Sequence, residues 1–309
     1  MNKTTAWLVW TKNRTWRCYI PPSGGNPHLK HLPFGSSHVP VPITKHKVQS
    51  HEIGFPVHIK TDKNRENLRL PPLIGILTSK HPTRAGFRGN RANFRDIIES
   101  GRRMGVIVFV FIANDFDETS GYTVGYTCHP AYKQWIRLVF PQPDVVYNRI
   151  PDRKTERRAA EQKALKFFLA NPQTELFNPH FFDKQELFHW FSNDRTLRSH
   201  LPDTTVWGPL EALTHYVRQY DTVYIKPSRG KAGTGIMQIS KKSGRYQLTY
   251  VTGKADTLLH FHTTNLQDLY RKINSLINGQ PYMIQQGIPL CRYEGRPFDC
   301  RLLVQKKRD

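Results

Sequence analysis

Val223-Tyr-Ile-Lys-Pro-Ser-Arg-Gly-Lys-Ala-Gly-Thr-Gly-Ile236 is an apolar strand that ends in a lysine and runs into a loop with glycines at 230, 233 and 235. Glycine lacks a Cβ, so its backbone takes positive φ readily and brings N–H groups close to a charged ligand. Lys226 adds a fixed ammonium beside that backbone, which is the combination a polyphosphate requires. One charge-assisted bond from a lysine contributes about 1.5–3 kcal/mol, so further contacts must come from elsewhere in the chain. The loop is not a Walker A loop, because no Gly-Lys-Ser or Gly-Lys-Thr occurs and no helix pattern follows. Met237-Gln-Ile-Ser240 alternates as a strand, Lys241 to Arg245 supplies a turn, and Tyr246 to Val251 reads as a second strand. Taken alone, the fourteen residues fit an ordinary glycine-rich hairpin equally well.

The surrounding chain is long enough, at 309 residues, to bury about three quarters of its unfolded surface in two or three domains. No apolar run approaches the roughly 20 residues of a membrane-spanning helix. Ala6 to Trp10 is shorter than a signal-peptide core of roughly 7–15 residues and lacks a small-residue cleavage site, so export by that route is not expected. Cys18, Cys128, Cys291 and Cys300 show no Cys-x-x-Cys spacing, which argues against a zinc site or a disulfide scaffold. The net charge of +22 is spread evenly: residues 1–70 carry 11 basic and 3 acidic side chains, 71–171 carry 16 and 9, and 172–309 carry 19 and 12. An even excess suits general attraction for anionic polymers or substrates rather than specific nucleic-acid recognition.

Residues 1–70 read as a basic, β-rich N-terminal module with short runs at Ala6 to Trp10, Trp16 to Ile20 and Phe55 to Ile59, and a loop at Pro21 to Gly25. In 71–171, Leu73 to Leu77 and Val106 to Ile112 are continuously apolar strands. Between them Arg91 to Met104 places Phe94, Ile97, Ile98 and Gly101 on one helical face. Strand, helix, strand makes a βαβ unit and hence a parallel sheet, with Pro143 to Tyr147 as a third strand. The connection Thr78 to Asn90 sits at the carboxyl end of the first strand, where Arg84, Arg88 and Arg91 either clamp an anionic substrate or stand as solvated loop charges. Arg153 to Ala170 reads as one helix with Ala160, Ala164, Phe167 and Phe168 inward. A helix over Asp183 to Ser192 follows, and the cluster Phe181, Phe182, Phe188, Trp190, Phe191 is expected in the core. Leu266 to Leu276 gives a third amphipathic helix and Tyr282 to Gln285 a further strand.

Asp144-Val-Val-Tyr-Asn-Arg149, Phe181 to Lys184 with Leu201 to Thr204, the lysine and glycine loop, Ile284-Gln-Gln-Gly-Ile288 and Phe298-Asp-Cys-Arg301 recur in an order that resembles the ATP-grasp superfamily, and more narrowly the YheC/YheD family of endospore coat-associated proteins. The resemblance covers roughly residues 70–309. It implies an α/β fold: a βαβ pre-ATP-grasp domain at 71–171 and an ATP-grasp domain at 172–309, behind the N-terminal module. It implies that Lys184 and Lys226 reach the α and β phosphates of ATP, and that Gly230, Gly233 and Gly235 lie in the loop over the triphosphate. Gln285, Gln286, Gly287 and Ile288 would form the hinge against adenine. Asp299 and Arg301 would share one face of an apolar strand, Asp299 contacting the nucleotide and Arg301 acting in catalysis.

Each assignment has a plainer counterpart. Lys184 is also a solvated charge in a first helical turn, where the positive helix end disfavours it, Gly287 is also an inter-strand turn, and Asp299 with Arg301 also forms a surface ion pair. The resemblance further implies a Mg2+ ion, whose carboxylate and asparagine ligands normally lie downstream of the Asp-x-Arg segment. With the sequence stopping at Asp309, the expectation is a C-terminally incomplete ATP-grasp domain with no metal ligands of its own. The implied activity is carboxylate–amine ligation through an acyl phosphate, and the alternative is a structural or assembly protein that retains a nucleotide site. The implied setting is cytoplasmic synthesis followed by association with spore coat components or the forespore during sporulation.

Overall fold

The computed structural model describes residues 3–21, 29–61, 68–230, 233–252, 257–300 and 302. The chain forms two compact units, Met1–Phe181 and Phe182–Asp309.

The first unit holds two six-stranded sheets. One contains β1 (Lys3–Trp10), β2 (Trp16–Tyr19), β3 (His31–Phe34), β4 (Val39–Thr44), β5 (Ile53–Thr61) and β6 (Leu68–Arg69) in the order β3-β4-β2-β1-β5-β6. The expected loop at Pro21 to Gly25 lies, from residue 22 on, outside the described residues. The other sheet follows in the chain: β7 (Ile74–Thr78), α1 (Arg91–Arg103), β8 (Val108–Phe116), β9 (Tyr122–Cys128), β10 (Trp135–Pro141), β11 (Val145–Asn148), α2 (Arg153–Glu156), α3 (Ala159–Ala170) and β12 (Glu175–Phe177). Its order is β10-β9-β8-β7-β11-β12, with β7 parallel to both β8 and β11 and β11 parallel to β12. The expected βαβ unit is present.

Alternation along β8 explains why its sequence is apolar throughout. Val108, Val110 and Ile112 join Phe94 and Ile98 of α1 in one core, whereas Phe109, Phe111 and Ala113 join Ala164, Leu165 and Phe168 of α3 in another. That second core also contains Ala6, Leu8, Val57 and Ile59 of the first sheet. Residue 70 is therefore a boundary between two sheets that share a core.

The helix expected over Arg153 to Ala170 is broken. Asp152 caps α2 by accepting the Thr155 N–H at 2.8 Å, Arg158 is extended (φ −69°, ψ 150°), and the Glu156 carbonyl accepts the Gln162 side-chain amide at 2.8 Å. A side chain has replaced a rung of the helical ladder, so the chain restarts as α3. The face of α3 that packs inward carries Glu161, Ala164, Leu165 and Phe168, with Ala160 and Phe167 at its margin.

The second unit contains α4 (Lys184–Asn193), β13 (Thr204–Val206), α5 (Leu210–Gln219), β14 (Thr222–Pro227), β15 (Met237–Lys242), β16 (Arg245–Val251), β17 (Leu258–Thr263), α6 (Leu266–Ile277), β18 (Tyr282–Gln286), β19 (Arg292–Tyr293) and β20 (Arg296–Pro297). The sheet order β13-β18-β14-β15-β16-β17 is antiparallel throughout. Leu213, Tyr216 and Val217 of α5 and Leu269, Ile273 and Ile277 of α6 recur at helical spacing and cover one face of it. They meet Val223, Ile225, Met237, Ile239 and Ile284. Successive strand residues point to opposite faces, so Tyr224, Lys226 and Gln285 project from the face away from the helices.

Two expectations fail here. No residue of α4 is buried, and Phe181, Trp190 and Phe191 are all exposed, so that aromatic cluster is not core. The apolar strand expected to carry Asp299 and Arg301 is absent over residues 298–300, and its remainder, apart from residue 302, lies outside the described residues.

Candidate functional site

β14 and β15 pair from Thr222 with Ser240 to Ile225 with Met237, so the opening stretch is a hairpin closed by the loop 228–236. Two strand periods and a glycine-rich interval dictate that shape. Gly235 takes φ +80°, and a Cβ there would stand 3.0 Å from the Tyr282 hydroxyl oxygen, so both conformation and space demand glycine. Gly233 is also left-handed, at φ +75°, but faces open space. A Cβ on Gly230 would come within 2.9 Å of Pro227 Cγ and 3.7 Å of Lys184 Nζ, which puts this glycine beside the lysine that opens α4.

That helix is anchored to the strand end. Asp183 caps α4 by accepting the Glu186 N–H at 2.9 Å, the Lys184 N–H donates to the Ser228 carbonyl at 3.1 Å, and Lys184 Nζ donates to the Pro227 carbonyl at 2.9 Å. Arg229 lies 3.6 Å from Asp183. Lys226 Nζ donates to Gln285 Oε1 at 2.6 Å and sits 5.0 Å from the Tyr224 ring centroid. Gln285 is oriented in turn by donating from Nε2 to Thr204 Oγ1 at 2.9 Å. Burial and, behind it, the neighbouring Lys184 charge lower the pKa of Lys226. A partly dehydrated ammonium beside a like charge, bonded to a neutral amide, is a locus of positive potential that an anion relieves.

Lys184, Lys226, Gly230 and Gly235 thus gather at the Pro227 end of β14, and Gln285, paired with Tyr224 in mid-strand, reaches Lys226 through its side chain. Gln286 and Gly287 lie at its other end, five strand residues or roughly 17 Å away, where the Gly287 N–H donates to the Thr222 carbonyl at 2.8 Å. A Cβ on Gly287 would stand 2.6 Å from that carbonyl oxygen, so close backbone approach accounts for this glycine. Gln286 Oε1 accepts the Asp203 N–H at 3.1 Å, and the Asp203 carboxylate accepts the Tyr216 and Tyr220 hydroxyls at 3.0 and 2.9 Å. Burial first, then Asp203, raises the pKa of both phenols. Ile288 is exposed just beyond the strand, and Asp299 is exposed in a segment without regular structure past β20. Arg301 lies outside the described residues.

Sequence reading gave no role to Thr204, Asp203 or Ser228, although all three lie in stretches it singled out. Thr204 and Asp203 act through partners more than ten residues away, which leaves no local pattern. Ser228 is buried, with its hydroxyl unpartnered among the described residues; its position inside the glycine loop was the one available signal.

Residues 173–309, which include this lysine-bearing hairpin and α4, match the family model described as YheC/D like ATP-grasp. The match is a similarity confined to this region of the chain. Over 306 residues the chain is 26% identical to the endospore coat-associated protein YheD of Bacillus subtilis (strain 168), covering 94% of this chain and 66% of the relative. Endospore coat-associated protein YheC of the same organism is 21% identical over 179 residues, covering 58% of this chain and 48% of the relative. The chain therefore spans just under two thirds of the first relative's length and about half of the second's. Among solved structures, the RimK domain protein ATP-grasp from Sphaerobacter thermophilus DSM 20745 aligns with a TM-score of 0.36 and 14% identity, covering 71% of this chain and 65% of that one.

Proposed function

We propose that the Phe182–Asp309 unit binds ATP along β14. The phosphates lie among Lys184, Lys226 and the loop bearing Gly230, Gly233 and Gly235, and the adenine lies at Gln285 to Ile288. The observation that carries this reading is the meeting of two lysines from separate elements at one strand end, where one of them already has its pKa lowered. A triphosphate would put charged partners in place of the Pro227 carbonyl and the Gln285 amide oxygen, and charge-assisted bonds are about twice as strong. Mg2+ is the ion expected to accompany ATP. Among the described residues no group of three or more His, Cys, Asp or Glu side chains gathers as a metal site, so no ligand is assigned to the ion and no step is routed through it.

Within this reading the reaction is carboxylate–amine ligation. A substrate carboxylate oxygen attacks the γ-phosphorus and ADP leaves; an amine then attacks the acyl carbon and orthophosphate leaves. Asp299 belongs to the nucleotide site and Arg301 to catalysis. A second reading, a spore-coat structural or assembly protein that keeps its nucleotide site without turnover, is supported by the coat association in the names of both relatives and by the evenly basic composition. Equilibrium titration with ATP, followed by an assay for ADP release with carboxylate and amine acceptors, separates the two. Saturable binding that is lost in Lys184→Met and Lys226→Met supports the nucleotide site, and binding without release of ADP selects the structural reading. Absence of binding overturns both.

A further inference from the structure

The Met1–Phe181 unit carries a second concentration of polar chemistry. At β7 the winding of the sheet reverses: α1 leads from β7 to β8 on one side, while β11 flanks β7 on the other and is followed by α3 and β12. The two helices pack on opposite faces. In open parallel sheets, ligands bind outside the carboxyl ends of the strands at such a reversal.

At that edge Thr78, Ser79, Asn148, Thr155, Glu156 and Glu161 are all buried. Most have defined partners: Thr78 Oγ1 donates to the Arg88 carbonyl at 3.0 Å, Asn148 Nδ2 to Glu156 Oε1 at 3.4 Å, and the Phe181 N–H to Glu156 Oε2 at 3.2 Å. Arg88 donates to Thr155 Oγ1 at 3.0 Å and Asp152 Oδ2 at 3.1 Å. Ser79 differs, because its side chain is fully buried and its hydroxyl has no partner among the described residues.

From Ser79 the chain continues into the segment 80–91, which holds Lys80, Arg84, Arg88 and Arg91 and no acidic residue. The segment folds back on the strand end, the Arg88 N–H donating to the Ser79 carbonyl at 2.9 Å and the His81 N–H to the Gly86 carbonyl at 3.0 Å, and residues 82–85 at its tip are exposed. Burial, followed by the charges of Arg84, Arg88 and Arg91, lowers the pKa of His81, as expected where positive charge accumulates.

We propose that this carboxyl edge of the parallel sheet binds one small oxyanion, a carboxylate or phosphate group, received by the Ser79 hydroxyl and the basic 80–91 arm. A recessed hydroxyl suits a single anionic group rather than the face of a polymer. Because Ser79 is fully buried, entry requires local movement of the chain around it. The assignment stands independently of the nucleotide site in the other unit.

The test is calorimetric titration with inorganic phosphate and with glutarate against chloride at matched ionic strength. It is run in the Lys226→Met background so that the glycine loop does not report. Saturable binding is expected, weakened about tenfold by Ser79→Ala and at least threefold by Arg84→Gln. Because the hydroxyl has no partner, Ser79→Ala should leave the ligand-free Tm unchanged or higher. Tighter binding of phosphate identifies a phosphoryl ligand, and tighter binding of glutarate a carboxylate. The proposal is overturned if neither probe binds beyond the chloride control, if both variants keep the parent affinity, or if Ser79→Ala lowers the ligand-free Tm.

Discussion

Replacing Lys226 with methionine separates binding from folding at the nucleotide site. The substitution keeps an unbranched apolar stem and removes the ammonium that donates to Gln285 at 2.6 Å. Losing one charge-assisted bond to phosphate costs about 1.5–3 kcal/mol, which corresponds to a roughly 10- to 150-fold weaker Kd. The fold should not suffer. Val223 and Ile225, not Lys226, face the helices, and burial with the Lys184 charge already disfavours the ammonium.

The sign of the pH dependence follows from that lowered pKa. The unfolded chain holds its proton up to about the ordinary value of 10.5, and the folded chain releases it sooner. The Lys226 contribution to ligand-free stability therefore rises with pH between the lowered pKa and 10.5, while ATP affinity falls over the same window as the charge is lost. Isothermal titration of ATP into wild type, Lys226→Met and the exposed-site control Lys272→Met measures the binding term. Thermal melts at a series of alkaline pH values measure the other. A Lys226→Met Kd within twofold of the Lys272→Met value would refute the reasoning.

Gly235→Ala should destabilise by roughly 1–2 kcal/mol through its left-handed backbone alone, with an added loss from the Tyr282 hydroxyl 3.0 Å away. Gly233→Ala, at similar φ in open space, should show the backbone cost only, and identical urea midpoints for the two would remove Tyr282 from the account. Glu52→Gln should cost about 1.5–3 kcal/mol, since the carboxylate accepts from Arg17 and from the Gln49 N–H at 3.0 Å in a largely buried pair. The Arg17 bond leads in holding the Glu52 pKa below 4.5, so its stabilisation is present above pH 4.5 and lost as pH falls through the folded value. Acid melts should accordingly show wild type losing stability more steeply than Glu52→Gln below pH 4.5, and parallel curves would contradict the ion pair's role.

What the sequence determined by itself is local, because a backbone with periods of 2 and 3.6 residues imprints them on the apolar pattern. The stretch Val106 to Ile112 could serve two cores only as a strand buried on both faces, and Phe94, Ile98 and Gly101 could be buried together only on a helix. The glycine hairpin after Lys226 was legible for the same reason. Tertiary structure decided the pairings between distant polar groups. Lys226 meets Gln285 across 59 residues and Lys184 meets Pro227 across 43, because antiparallel register and a helix cap bring them to one strand end. The same register committed Gln286 to Asp203 and Gly287 to Thr222, contacts that spacing along the chain does not encode. At the break before α3 a Gln162 side chain reaches the Glu156 carbonyl, a contact that an apolar pattern does not record. The Ser79 hydroxyl, buried with no partner among the described residues, likewise became visible only in the tertiary structure. Periodicity is a property of neighbours in sequence, whereas the satisfaction of a buried polar group is a property of neighbours in space.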